Sequence, residues 1–212
     1  MFIYKIPNVV KKLFSKLIWE IPNAIHQNEN IYFTFDDGPT PEITKFVLDE
    51  LNKSNAKATF FCIGKNIREN PDIIKAIIIN GHAIGNHTMN HLNAWKVSET
   101  CYLENIKLCE NEIQMFSNKS VGFRPPYGRI SNLLNKSNLV KKIIMWSVLT
   151  GDYRKDDVTD DIIKNCLPLL KPGAIVVFHD SLKAYHNLKV ILPVFLDHCR
   201  KNNLTPSVLP YD

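Results

Sequence analysis

Short runs of β-type residues alternate with amphipathic helical patterns along most of this 212-residue chain. Strand-like runs fall near 31–35, 58–62, 82–86, 121–124, 142–147, 174–178 and 205–209. Helical patterns fall near 41–53, 66–80, 98–116, 130–138, 157–170 and 187–202. A strand followed by a helix, repeated, implies parallel strands joined by right-handed crossovers. The expected fold is α/β, a distorted (β/α) barrel with about seven parallel strands. An open sheet would scatter the strand ends along a wide edge. A closed barrel gathers them around one pocket, and the chemistry-bearing residues follow the C-terminal ends of the runs.

The first run, Ile31–Phe35, ends in Asp36-Asp37-Gly38-Pro39. Neighbouring carboxylates repel, so a strand end holding both is costly unless a cation or proton is shared. The third run leads into His87-Thr88-Met89-Asn90-His91. Two histidines and one aspartate form a three-ligand set that leaves a position for water on a divalent metal. The second aspartate is then available as a base, which points to metal-assisted hydrolysis. Taken alone, each motif has a plainer reading. Asp-Asp-Gly-Pro is also a solvated turn, and His-x3-His also a pair sharing a face. Their occurrence after separate strands favours a site.

Three further strand-end motifs follow in order. Arg124-Pro125-Pro126-Tyr127-Gly128 is a stiff turn with one cation. Trp146–Tyr153 carries Asp152, and Ile175–Asp180 ends in His179-Asp180. The five motifs together resemble the polysaccharide deacetylase family, carbohydrate esterase family four. Its members include chitin, chitooligosaccharide and peptidoglycan N-acetylglucosamine deacetylases. The resemblance spans about residues 31 to 208. It implies Asp36 as catalytic base and Asp37, His87 and His91 as ligands to a divalent metal, zinc first, with cobalt or another divalent ion as alternatives. It implies Arg124 as the group holding the base, and a Tyr127 backbone N–H facing an oxyanion. Asp152 would orient His179, the acid for the leaving amine, and Val177 would form a wall of the acetyl pocket. Trp146 and Tyr153 are candidate sugar contacts, as is Trp95; for Trp146 a core role competes. Leu149 stands where the family often has Asp, and Tyr153 where it often has Trp, which bears on substrate contacts more than on the chemistry.

The reaction so implied is removal of the N-acetyl group from an N-acetylated amino sugar in an oligosaccharide, polysaccharide or glycolipid. Deacylation or deformylation of a lipid-linked amino sugar is the alternative. A glycosidase needs two carboxylates about 5 Å or more apart flanking a bond, which adjacent aspartates do not supply by themselves. A catalytically silent carbohydrate-binding module would need the aromatic residues but not Asp36, Arg124 and His179 together. His82 reads as a structural histidine; His26, His186 and His198 match no role.

The net charge of +5 is mild and its basic residues are dispersed, which argues against nucleic acid as a partner. Five cysteines without a Cys-x-x-Cys argue against a disulfide framework and a thiolate zinc site. Lysines interrupt the N-terminal segment before any signal-like apolar run, so a cytoplasmic location is expected, with the inner membrane face as a variant. One domain over 1–212 is expected, with 1–30 a helical extension. Within it, residues 8–19 place Val9, Val10, Leu13, Phe14, Leu17 and Ile18 on one face of a basic amphipathic helix. Packing across the barrel is the favoured role, and peripheral contact with an anionic membrane the second.

Overall fold

The computed structural model describes residues 2–22, 29–130 and 140–211. Its element order is α1 (Asn8–Leu13), β1 (Asn30–Asp36), α2 (Ile43–Lys53), β2 (Thr59–Cys62), α3 (Gly64–Glu69), α4 (Pro71–Ile79), β3 (Ala83–Asn86), α5 (Glu99–Gln114), β4 (Val148–Leu149), α6 (Thr159–Cys166), β5 (Ile175–His179), α7 (Tyr185–Lys201) and β6 (Thr205–Pro206). The helix expected near 130–138 falls almost wholly outside the described residues.

The sheet runs β3-β2-β1-β5-β4, with β6 beside β1, and every ladder is parallel. The ring closes through bridges rather than full ladders. Phe123 pairs with Asn86 on one side and Ile143 on the other. The run at 121–124 is thus a strand in its hydrogen bonds but pairs at one residue, between Gly122 at φ +129° and Pro125. The run at 142–147 splits: Ile143 bridges to Phe123 and Ile144 to Ile18, and the regular ladder appears later, at β4. The architecture is the expected distorted (β/α) barrel.

Period two along the strands sorts the side chains into two layers. Ile31, Phe33 and Phe35 of β1, with Val176 and Phe178 of β5, join the main core beneath α2, α4 and α7. Phe35 is register partner to both Phe60 and Phe178. Its ring stacks on theirs with centroids 5.1 and 5.4 Å apart. Such cross-strand aromatic pairs fix register, because a one-residue slip would turn every side chain to the other layer. The same alternation turns Tyr32, Thr34 and Asp36 to the barrel interior.

The N-terminal segment departs from expectation. α1 stops at Leu13 and buries none of its residues. Ile18 then lies strand-like, its N–H bonded to Ile143 O at 3.0 Å and its carbonyl accepting from Met145 N–H at 2.7 Å. Ile21 N–H continues to Gly173 O. The segment fills the splay between 143–145 and the start of β5. Pairing to open strand edges outweighs the helical periodicity of 8–19, a tertiary override of a local pattern. No helix among the described residues is long and apolar enough to cross a membrane.

Candidate active site

Asp36 ends β1 and faces inward, 4% exposed. Arg124, fully buried, donates from Nη1 to Asp36 Oδ1 at 2.8 Å and to Thr34 Oγ1 at 2.7 Å. Its Nε and Nη2 donate to the carbonyls of Ile144 and Met145. The guanidinium lies 4.0 Å over the Phe61 ring. A buried charge is tolerable only when paired and hydrogen-bonded, and here four bonds and a ring meet that need. Burial still lowers the Arg124 pKa from its ordinary value, against the pull of Asp36. Thr34 closes the network by donating to Val176 O at 2.8 Å.

Asp37 turns away from Asp36 because its backbone has φ 82°. Its carbonyl accepts from Asn66 Nδ2 at 2.7 Å, fixing the loop. Asp37 Oδ1 lies 3.2 Å from His91 Nε2 and 3.7 Å from His87 Nε2. That oxygen is buried with no donor aimed at it. His87 Nδ1 sits 2.8 Å from Arg124 O. A carbonyl only accepts, so Nδ1 carries the proton and Nε2 presents a lone pair toward Asp37. His87 and His91 share a loop rather than a helix. Asn86 Oδ1 receives Thr88 N–H, and Asn105 anchors Met89 and Asn90 through its carbonyl and side chain. Thr88 and His91 hold φ of 65° and 53°, a strain uncommon for a β-branched residue and typical of sites.

One ligand atom each from Asp37, His87 and His91 lies within 4.8 Å of the other two, the one such group among the described residues. An orphaned buried carboxylate oxygen beside two imidazole lone pairs fits a divalent cation. Burial opposes the Asp37 charge, yet His91, His179 and His87 hold its pKa below the usual range. Burial lowers His87 to about 4, with Asp36 and Asp37 opposing, which leaves its ring neutral as a ligand must be.

His179 ends β5. Asp152 receives its Nδ1 and its backbone N–H, both at 2.8 Å, on separate oxygens. Burial alone would lower the His179 pKa. Asp152, then Asp37 and Asp36, outweigh that and raise it to about 9. Asn187 Nδ2 donates to the carbonyls of Asp152 and Arg154, pinning that loop to α7. The Tyr153 ring stands edge-on to His179 at 4.8 Å.

A cavity of ≈ 420 Å³ joins these groups: Asp36, Asp37, His87, His91 and His179 line it, with Tyr127, Trp146, Leu149, Tyr153 and Val177 among its walls. Apart from Trp95, the residues singled out from sequence therefore line it or, like Arg124 and Asp152, hold one that does. Tyr127 has φ 60° and its ring meets His91 edge-on at 4.7 Å. Trp146 joins both the cavity and the core, so the two readings of it coexist. Trp95 lies outside this cavity, with the Arg129 guanidinium 4.5 Å over its ring. His82 is structural: its Nδ1 accepts from Ala58 N–H at 3.2 Å.

No role follows from the sequence for Thr34, Asp180 or the cavity-lining Lys183. Thr34 looks like an ordinary β-former, and its contact with Arg124 depends on tertiary structure. Asp180 is fully buried, receiving Gly38 N–H at 3.0 Å on Oδ1 and Thr44 Oγ1 at 2.6 Å on Oδ2. Burial raises its pKa to about 8, against those hydrogen bonds. It props the Asp36–Pro39 loop from beneath. The titratable His179-Asp180 pair was the available signal, but nothing in it separates a prop from a reacting group.

Residues 24–142 match the family model described as polysaccharide deacetylase. A peptidoglycan-N-acetylglucosamine deacetylase of Bacillus cereus is 37% identical over 164 residues, 74% of this chain and 58% of that protein. A chitooligosaccharide deacetylase of Azorhizobium caulinodans is 35% identical over 74% of this chain and 77% of its own length. The crystal structure of the Bc1960 peptidoglycan N-acetylglucosamine deacetylase, bound to an N-hydroxybenzamide, superposes with TM-score 0.81 at 30% identity, covering 95% of this chain and 94% of that one.

Proposed function

The chain belongs to the polysaccharide deacetylase family, and from that premise we propose that it hydrolyses the N-acetyl amide of an N-acetylglucosamine-containing carbohydrate, releasing acetate. The observation that carries the reading is the single cavity shared by the Asp37/His87/His91 cluster, the Arg124-held Asp36 and the Asp152-held His179. Zinc is the proposed ion, because a site of two imidazoles and one carboxylate with room for a fourth ligand suits it. Such an ion supplies Lewis acidity to an acyl carbonyl and acidifies a water beside it.

The protein's own groups divide the remaining work. Asp36 accepts the proton of the attacking water, kept aimed by Arg124 Nη1. The Tyr127 backbone N–H is proposed to receive the developing oxyanion, on a turn stiffened by Pro125 and Pro126. His179, protonated at neutral pH because Asp152 holds it, passes a proton to the departing amine. Val177 and Leu149 give the acyl group an apolar wall, and Trp146 and Tyr153 give sugar rings aromatic faces. The aspartates are committed separately, one to a guanidinium and one to two imidazoles, which disfavours a glycosidase.

Deacylation of a lipid-linked amino sugar is the second reading, favoured by Leu149, an apolar residue where the family often has an acid. A cytoplasmic location, or the inner membrane face, is proposed alongside, on five free thiols of which four are buried. The test is acetate release from chitooligosaccharides, peptidoglycan fragments and N-acylated monosaccharides by zinc- or cobalt-loaded protein. Absence of release from every substrate at full metal occupancy would overturn the proposal.

A further inference from the structure

Beside the catalytic cavity lies an apolar groove of ≈ 470 Å³, lined by Val10, Leu13, Phe14, Trp19, Trp95 and Met145 among others. Gly128 is a wall of both. Three of its large apolar side chains face solvent, Leu13 at 76%, Phe14 at 49% and Trp95 at 68% exposed, and Val9, one helical turn before Leu13, is 71% exposed. Lone exposed apolar residues need no explanation, but neighbours along one short ridge do. The ridge is also basic. Lys12 and Lys16 are exposed and form no ion pair among the described residues, and Arg129 caps Trp95. Lys11 is excluded from this set, since Glu20 takes it at 2.7 Å. Residues 2–22 contain no other acidic side chain.

We propose that this ridge, Val9 to Lys16 with Trp95 and Arg129, is a docking surface for an anionic lipid bilayer. Leu, Phe and Trp with interleaved Lys and Arg form the pattern that sinks apolar groups to the headgroup level while cations meet lipid phosphates. In the short helix α1 Val10 packs partly against the core, while Val9 and Leu13 stay exposed and are free to meet lipid. Positive charge selects an anionic bilayer over a protein partner with a neutral rim. Because Gly128 borders both cavities, docking sets the catalytic mouth beside the bilayer. That relation holds whatever the reaction, so binding is measured without turnover.

The full chain is sedimented with phosphatidylcholine vesicles, with and without phosphatidylglycerol. Binding is expected only with the anionic lipid, and weakening as salt rises. Lys12→Ala with Lys16→Ala should lower the partition coefficient about tenfold or more. Leu13→Asp with Phe14→Asp should abolish binding while circular dichroism stays unchanged. Brominated acyl chains should quench tryptophan fluorescence, and Trp95→Phe should remove most of that quenching. Equal binding by the variants, or none to anionic vesicles, overturns the proposal. So does concentration-dependent self-association that Leu13→Asp removes, which would make a second copy the occupant.

Discussion

Asp36 and His179 are register partners on the adjacent parallel strands β1 and β5. The proposed base and the proposed acid thus rise from one rung of the ladder, both turned inward by the same period of two. Arg124 holds the first from one side and Asp152 the second from the other. Asp37, one residue on, is turned out of that rung by its positive φ and faces the histidine loop. The division of labour follows from backbone geometry.

Asp36 and Asp37 should therefore fail differently. Asp37→Asn removes the anionic ligand, so metal affinity should fall and excess metal should restore part of the activity. Asp36→Asn leaves the three ligands in place and should bind metal normally, yet lose about 10²–10⁴-fold in turnover, the range for a lost general base. Metal titration beside acetate-release kinetics checks both. Loss of metal from Asp36→Asn, with metal and turnover intact in Asp37→Asn, would reverse the assignment.

The pH profile should report His179. With its pKa raised to about 9, the ring is protonated through neutrality. Activity should fall as pH rises through that region. Asp152 supplies the largest upward contributions, while burial pushes down. Asp152→Asn should therefore move the alkaline limb to lower pH, besides lowering kcat. An alkaline limb at the same pH in both proteins would remove His179 from the acid role.

His82 gives a prediction about stability instead of catalysis. Burial holds its pKa at about 4, below the ordinary 6.5, with Lys57 adding to the effect. Below pH 6.5 the unfolded chain binds a proton there that the native chain does not. Stability should then fall as pH drops from about 6.5 to about 4, by on the order of 3 kcal/mol at most from this group. Urea unfolding across that window should show a shallower decline in His82→Gln than in wild type. Parallel declines would mean that His82 titrates normally in the native state.

The parts of the site legible in the sequence are those at strand ends, because a parallel barrel turns the C-terminal end of each strand into a loop of one pocket. Asp36, His87, Arg124, Asp152 and His179 all stand at or just after such ends. Residues whose role depends on register are not legible that way. Thr34 reaches Arg124 only because β1 and the 121–124 segment face each other across the barrel interior. The spacing of Ile18 from Leu13 and Phe14 suits a helical face; the open edge at 143–145 pulls it into extended pairing instead. Asp180 follows His179, the proposed acid, in the same titratable pair. Period two sends it the other way, beneath Gly38.

That placement makes Asp180 a positioning residue with a sharp test. Its two oxygens hold Gly38 N–H and the Thr44 hydroxyl, and Gly38 directly follows Asp37, the proposed metal ligand. Asp180→Ala leaves a buried N–H without an acceptor, a cost of about 1–3 kcal/mol, and frees the Asp36–Pro39 loop. Metal affinity and kcat should both drop, while KM for a soluble oligosaccharide changes little. Asp180→Asn keeps one carbonyl acceptor and should retain more metal than Asp180→Ala. The fit also runs the other way: a Cβ on Gly38 would sit 2.0 Å from Asp180 Oδ2. Gly38→Ala should be destabilising by overpacking against a buried carboxylate. Combined with Asp180→Ala, it should cost less than the sum of the single changes, by about 1 kcal/mol or more, because the second change removes the atom that the first one strikes. Denaturant midpoints for the two single variants and the double variant measure that coupling. Strict additivity, or wild-type metal affinity in Asp180→Ala, would show that the carboxylate does not hold the loop.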